Sequence, residues 1–242
     1  MATIRIGCCG FVRSRAEYFT HFDLVEVQQT FYKLPRVETA QRWRTEAPPA
    51  FEFTMKAWQA ITHDPSSPTY RKAGLQLSGP ADHYGSFRPT PEVMDAWERT
   101  LEIAEALRAS TVVLQCPARF TPTDEHIRNL RRFLEHARRP AGIRLAWEPR
   151  GGWPQDIIAG ICREYDIVHV VDPFQGLPAA EGTAYFRLHG RTGYSYRYTD
   201  EDLSQLWAWC RQYDVVYCMF NNIGMWEDAL RFRSLAAGGD GG

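Results

Sequence analysis

Lysine is almost missing from this chain. Only Lys33, Lys56 and Lys72 occur among 28 basic residues, so arginine carries nearly all of the positive charge. Arginine in place of lysine accompanies some thermophile families and also follows from genome composition, so it points to no function. Net charge is lacking too. A formal value of −1 argues against bulk attraction to nucleic acid or an anionic membrane and leaves room only for a local basic pocket. No apolar run approaches the roughly 18–20 residues that span a bilayer. Met1–Ile6 enters a strand directly, without a charged-then-apolar leader, so the expected setting is cytoplasmic.

Metal-type cysteine spacing is also absent. Cys8 and Cys9 are adjacent, and side chains alternate along a strand, so only one of them can face an interior. That disfavours a zinc or iron–sulfur site built from them with Cys116. Cys116, Cys162, Cys210 and Cys218 fall in expected strands or helices, as reduced buried thiols do. Internal repeats, low-complexity tracts and interdomain linkers are missing. Residues 1–237 are therefore expected to form a single domain, with 238–242 as a flexible C-terminal tail.

What the chain does have is eight short apolar runs: Ile4–Cys9, Leu24–Gln29, Phe51–Ala57, Thr111–Cys116, Ile143–Glu148, Ile167–Asp172, Ala184–His189 and Val215–Asn222. Helical patterns lie between most of them. Pro35 precedes Val37–Ala47, Thr90-Pro91 opens a long helix to Leu107, and Thr199 caps Asp200–Gln212. Gly224–Ala236 closes the chain as a last helix. Pro173–Gly182 is too rich in proline and glycine for a full helix. Eight strands alternating with helices in about 250 residues predict an α/β fold, a (β/α)₈ TIM barrel whose unit after strand six lacks a full helix. One long polar stretch, Trp58–Pro89, leaves strand three and is expected over the barrel mouth, where it would help exclude water.

Nearly every run ends in a polar residue: Glu26, Gln28, Lys56, Gln115, Glu148, Asp172, Arg187, His189, Asn221 and Asn222. In a barrel these endings converge on one face, the face that carries the active site in characterised barrel enzymes. Strand residues two apart point the same way, roughly 6.5 Å apart, which pairs Glu26 with Gln28, Glu148 with Arg150 and Arg187 with His189. A ring of Glu26, Glu148, Asp172, Lys56, Arg187 and His189 holds charges of both signs and can neutralise itself. It can equally be a structural salt-bridge network.

The densest stretch is Arg187-Leu188-His189-Gly190-Arg191. A histidine there can move a proton near neutral pH, and the arginines can grip a carboxylate or phosphate. The following loop alternates Tyr194, Tyr196 and Tyr198 with Arg197, a pattern that stacks on a ring or base or, equally, packs on its own barrel. Arg191 and the Asn221–Gly224 turn occupy the positions where barrels often bind phosphate, after strands seven and eight. Glu148, Asp172 and His189 could hold a divalent metal, which ranks below the ion-pair alternative, and the cofactor is otherwise left open. His63, on the long loop, is expected at the surface.

Several of these segments together resemble the DUF72 family, also called YecE-like. They are Ile4–Gly7, Val25–Tyr32 with Pro35, Phe53–Lys56 with Thr62-His63, Leu114-Gln115 with Pro117, Trp147–Arg150 with Trp153, Arg187–Arg191, Tyr194–Tyr198, and Phe220–Asn222. The resemblance implies a TIM-type barrel and transfers no established reaction. Cys8-Cys9 and Phe11 stand where Thr-Ser and a Trp are usual in that family.

The expected function is an enzyme, a hydrolase or isomerase, acting on an anionic small molecule that is phosphorylated or nucleotide-like. His189 would move a proton, with Glu148 or Glu26 as partner or alternate base. Arg187, Arg191 and Lys56 would hold the anion. Gln28, Gln115, Arg150, Asp172, Tyr196, Asn221 and Asn222 would position the ligand. The alternative is a non-catalytic protein that binds a nucleotide or nucleic acid.

Overall fold

The computed structural model describes residues 2–239. Eight parallel strands close into a barrel in sequence order: β1 (Thr3–Cys9), β2 (Leu24–Val27), β3 (Glu52–Lys56), β4 (Thr111–Gln115), β5 (Arg144–Glu148), β6 (Val168–Val171), β7 (Thr183–Leu188) and β8 (Val215–Phe220). β8 returns to β1, with Thr3 opposite Val215 and Cys8 opposite Phe220. The helices are α1 (Arg15–His21), α2 (Gln29–Tyr32), α3 (Val37–Glu46), α4 (Gln59–Thr62), α5 (Pro68–Ala73), α6 (Pro91–Leu107), α7 (Asp124–His136), α8 (Gln155–Tyr165), α9 (Asp200–Cys210) and α10 (Met225–Gly239). Among the described residues no helix is long and apolar enough to cross a membrane.

The period-2 alternation along the strands separates two cores. Val25, Phe53, Leu114, Trp147 and Phe186 point outward and pack under Trp97, Leu101, Phe133, Ile161 and Leu206 of the helices. Cys9, Leu24, Val113, Ala146, Val170, Tyr185, Tyr217 and Met219 point inward and fill the barrel. Cys8 therefore belongs to the outer core and Cys9 to the inner one. The caps follow the sequence. The Thr90 hydroxyl accepts from the Val93 N–H at 3.3 Å, and Thr199 with Asp202 forms a reciprocal capping box.

Element boundaries differ from expectation in places, two of them with consequences here. β2 stops at Val27 rather than Gln29, because Gln28 turns into helical backbone (φ −83°, ψ −31°) and starts α2. α10 continues through Gly238 and Gly239, the start of the expected tail, and residues 240–242 lie outside the described residues. The long stretch after β3 is not a free lid. It forms α4 and α5, and Gly85, Ser86 and Phe87 return to donate to the carbonyls of Ala60, Thr62 and Ile61. Gly85 has φ +78° and sits against the His63 backbone with no room for a Cβ.

The unit after β6 has no helix. Its turn is held by two side chains instead: Asp172 Oδ1 accepts from the Phe174 N–H at 3.1 Å, and His169 Nδ1 accepts from the Ala179 N–H at 3.0 Å. His169 must be neutral to accept that bond. Burial pulls it down to about 4, against the opposing field of Glu148. A histidine whose folded value lies below its unfolded one stabilises the fold above about pH 6.5 and loses that contribution as pH falls toward 4. We expect roughly 3 kcal/mol of stability to disappear over that window. His169→Asn, which keeps an acceptor and cannot titrate, should flatten the acid limb of urea midpoints measured from pH 7.5 to 4.5. An unchanged slope in the variant would remove this account.

Candidate active site

The C-terminal ends of the strands gather most of the polar residues singled out by the sequence, and Arg187 stands at their centre. Its side chain is 1% exposed. One guanidinium nitrogen lies 2.6 Å from Glu148 Oε2 and 3.1 Å from Gln115 Oε1. The other lies 3.1 Å from Glu26 Oε1 and 3.4 Å from Gln28 Oε1. Gln28 also donates to Glu26, and the Tyr185 hydroxyl donates to Glu26 Oε2 at 2.7 Å. Burial opposes the charge on Arg187, but Glu148 and Glu26 outweigh it and keep the guanidinium protonated. Burial likewise pushes the Glu148 carboxyl up, and Arg187 and Arg150 overcome this and hold it at about 2. Arg187 is thus committed to two carboxylates. A guanidinium already shared between two buried carboxylates has little charge left for a ligand, which counts against the expectation that Arg187 grips an external anion.

Above this cluster the mouth opens into a cleft of about 490 Å³ lined by Glu148, Arg150, Asp172, His189 and Tyr194. Arg150 bonds Glu148 Oε1 through two nitrogens at 2.9 and 2.7 Å, and also lies 2.8 Å from His189 Nε2. A guanidinium only donates, so His189 Nε2 carries the lone pair and Nδ1 carries the proton. That proton faces Asp172 Oδ2 at 3.4 Å. The same oxygen accepts the His189 backbone N–H at 3.0 Å, which anchors the residue. The result is a chain, Asp172 to His189 to Arg150, that leaves a basic nitrogen at the cleft once Arg150 moves aside. Gly151, the next residue, runs its backbone against the Phe120 carbonyl, where no Cβ fits.

Lys56, at the end of β3, completes the mouth. It is 4% exposed, and its Nζ stands 3.8 Å over the ring of Phe31. Among the described residues no carboxylate lies within ion-pair distance of it and no hydrogen bond engages it. Burial, reinforced by Arg187, pulls its ammonium down to about 7, against Glu148 and Glu26. Beside it sits His63, buried rather than at the surface as expected. α4 turns the chain back into the barrel and brings the His63 ring edge-on to Phe31, with Nδ1 2.8 Å from the Thr62 hydroxyl. Burial and then the charges of Lys56, Arg150 and Arg119 hold His63 at about 3. The sequence signal was the apolar run Ala57-Trp58 with Ala60-Ile61, which argues for burial of that turn. Arg119, which donates to Ser66 at 2.9 Å, was also missed.

The side of the mouth formed by β7 and β8 does not match expectation. Arg191, 54% exposed, pairs with Asp202 at 2.8 Å, and the Tyr196 hydroxyl donates to the other oxygen of the same carboxylate at 2.6 Å. Tyr198 is buried, its hydroxyl accepting from the Gly190 N–H at 2.8 Å, so of the alternating tyrosines Tyr194 alone projects (52% exposed). Asn222 is buried and donates to Asp228 at 2.7 Å and to the Tyr196 carbonyl at 2.8 Å. Asn221 is fixed through its backbone N–H to the Leu188 carbonyl at 2.9 Å. The first turn of α10 carries Glu227 and Asp228, and Arg197 covers Gly224. The N-terminal turn of α10 thus carries acidic residues of its own beside the expected phosphate position. Nor do Glu148, Asp172 and His189 form a metal-ligand group; among the described residues no three His, Cys, Asp or Glu side chains do.

A family model described as "Protein of unknown function DUF72" matches residues 12–237. A crystal structure of a DUF72 family protein from Enterococcus faecalis superposes with a TM-score of 0.70 at 20% identity, covering 98% of each chain. One from Thermotoga maritima gives 0.67 at 20% identity, covering 97% of this chain and 99% of its own. A xylose isomerase domain containing protein from Salmonella typhimurium gives 0.56 at 13% identity, covering 98% and 96%. No curated protein sequence matches the chain.

Proposed function

The chain belongs to the DUF72 family, and on that premise we propose that it is an enzyme that binds a small anionic molecule at the barrel mouth and moves a proton on it with His189. The observation that carries this reading is Lys56, a buried basic group without an acid partner among the described residues, on the same mouth as the Asp172–His189–Arg150 chain. With Arg191 and the Asn221–Gly224 turn engaged elsewhere, the anion falls to Arg150 and Arg119 on the β4–β5 side. An arriving phosphate or carboxylate draws Arg150 off His189 Nε2 and so uncovers the base as the ligand binds. Asp172 keeps the imidazole in the tautomer that can accept. Proton transfer at a carbon beside a carbonyl, as in an isomerisation, suits this set better than hydrolysis, because the base, His189, and a cation that would steady a developing oxyanion, Arg150, line the same cleft.

The anion half of the proposal is tested with glycerol phosphate against glycerol by calorimetric titration. Only the phosphate should bind. Arg150→Gln removes a charge-assisted contact worth about 1.5–3 kcal/mol and should weaken it roughly 10- to 100-fold, while Arg191→Gln should leave it unchanged. The reverse pattern, or equal affinity for glycerol, overturns the proposal.

A further inference from the structure

We propose that Lys56 is a nucleophile that forms an imine with an aldehyde or ketone group of the bound molecule. This rests on the reading of the mouth as an enzyme site and adds to it the class of substrate, an anionic carbonyl compound. Three observations carry it.

First, Lys56 ends a barrel strand and points into the mouth, and its Nζ rests on the face of Phe31 with no hydrogen bond or ion pair among the described residues. Its nitrogen is not tied down as a structural cation would be. Second, the charges below it close without it: Arg187 lies between Glu26 and Glu148, and Arg150 bonds Glu148. Losing the proton on Lys56 leaves no carboxylate abandoned. Third, the groups around it favour the free amine. Burial, then Arg187 and more weakly Arg150, disfavour its proton and outweigh the pull of Glu148 and Glu26, His63 beside it is neutral, and the apolar wall of Phe31 solvates an ammonium poorly. At neutral pH a large share of this side chain is therefore unprotonated, since its value lies at about 7.

The chemistry balances with the carbonyl compound as sole co-reactant. The nitrogen lone pair attacks the carbonyl carbon, and the C=O π pair moves to oxygen, which takes up a proton to give a carbinolamine. The attacking nitrogen gives up one proton as that oxygen gains one; the hydroxyl then gains a second proton and leaves as water while the nitrogen lone pair forms C=N, giving a protonated imine that reaches the neutral imine by shedding its remaining N–H proton. The net change is amine plus carbonyl to imine plus water, and hydrolysis returns both. A protonated imine also acidifies the adjacent C–H, the bond at which His189 would act.

The scarcity of lysine provides the test. Lys33 and Lys72 are exposed and serve as internal controls in the same molecule. The protein is incubated with glyceraldehyde 3-phosphate at pH 7, reduced with sodium borohydride, digested and mapped by mass spectrometry. We expect the reduced adduct on Lys56, forming at least tenfold faster than on Lys33 or Lys72, and excess glycerol phosphate should slow it. Lys56→Arg keeps the charge and should lose the adduct; the mapping on unaltered protein does not depend on that variant folding. Labelling confined to Lys33 and Lys72 overturns the imine. If glyceraldehyde 3-phosphate raises the melting temperature but does not label Lys56, the imine fails and the anion site stands. If Lys56 labels equally fast with propanal and in Arg150→Gln, the imine stands and the anion assignment fails.

Discussion

Arg187→Met should cost about 3–5 kcal/mol of stability at pH 7, the cost typical of breaking a buried ion pair by removing one partner. The methionine fills much of the volume, so the loss reports charge rather than a cavity. Glu26 and Glu148 are both fully enclosed, and each would keep its negative charge with its central counter-charge gone. The pH dependence gives the sharper signature. In the native protein Glu148 sits at about 2, below its ordinary 4.5, so it stabilises the fold above pH 4.5 and loses that contribution as pH falls toward 2. Without Arg187 the Glu148 carboxyl keeps only Arg150 against its burial, so its value rises and acid costs the variant less than it costs the native protein. The gap between the two proteins should therefore narrow from pH 7 to pH 4. Adding Glu26→Gln and Glu148→Gln to Arg187→Met should recover part of the loss at pH 7. Urea denaturation at both pH values decides it. A loss below 1 kcal/mol, or one independent of pH, would mean that the cluster is not held together by charge.

The barrel was legible in the sequence because its signals are local. Nearly every strand belongs to a short apolar run with a polar residue at or just beyond its end, and Thr90-Pro91 and Thr199 mark helix starts without help from tertiary structure. The missing helix after β6 was legible for the same reason, through Pro173 and the glycines that follow. The central ion cluster was partly legible, since Glu26, Glu148 and Arg187 had to neutralise one another once they shared an interior. What could not be read was which arginines are already engaged. Arg191 looks free until α9 brings Asp202 to it, and Asn222 looks available until α10 brings Asp228. Those acids lie on helices packed outside the strand ends, so no strand periodicity reveals them. His63 was misjudged because α4 is only four residues long, too short to show a helical pattern, yet it redirects the chain into the mouth. These engagements are why the anion site proposed above is placed toward β3–β5 rather than β7–β8.

His189→Gln should slow proton exchange by about 10²- to 10⁴-fold, the usual contribution of a positioned acid–base group. The readout needs no identified product. The protein is placed in deuterium oxide with dihydroxyacetone phosphate, and the loss of C–H signal is followed by proton NMR. Glutamine retains an acceptor for Arg150 but has no basic nitrogen, so it separates proton transfer from packing. Because His189 sits at the cleft edge, its replacement should shift the urea midpoint little, whereas Asp172→Asn should lower stability as well as exchange. Asp172 accepts the backbone N–H groups of both Phe174 and His189, and so holds the helix-free turn as well as the imidazole. The two variants therefore separate a residue that carries the proton from one that positions it. Exchange at the native rate in His189→Gln, with stability reduced by several kcal/mol, would make the histidine a structural member of the rim and leave Lys56 as the remaining candidate for chemistry at this mouth.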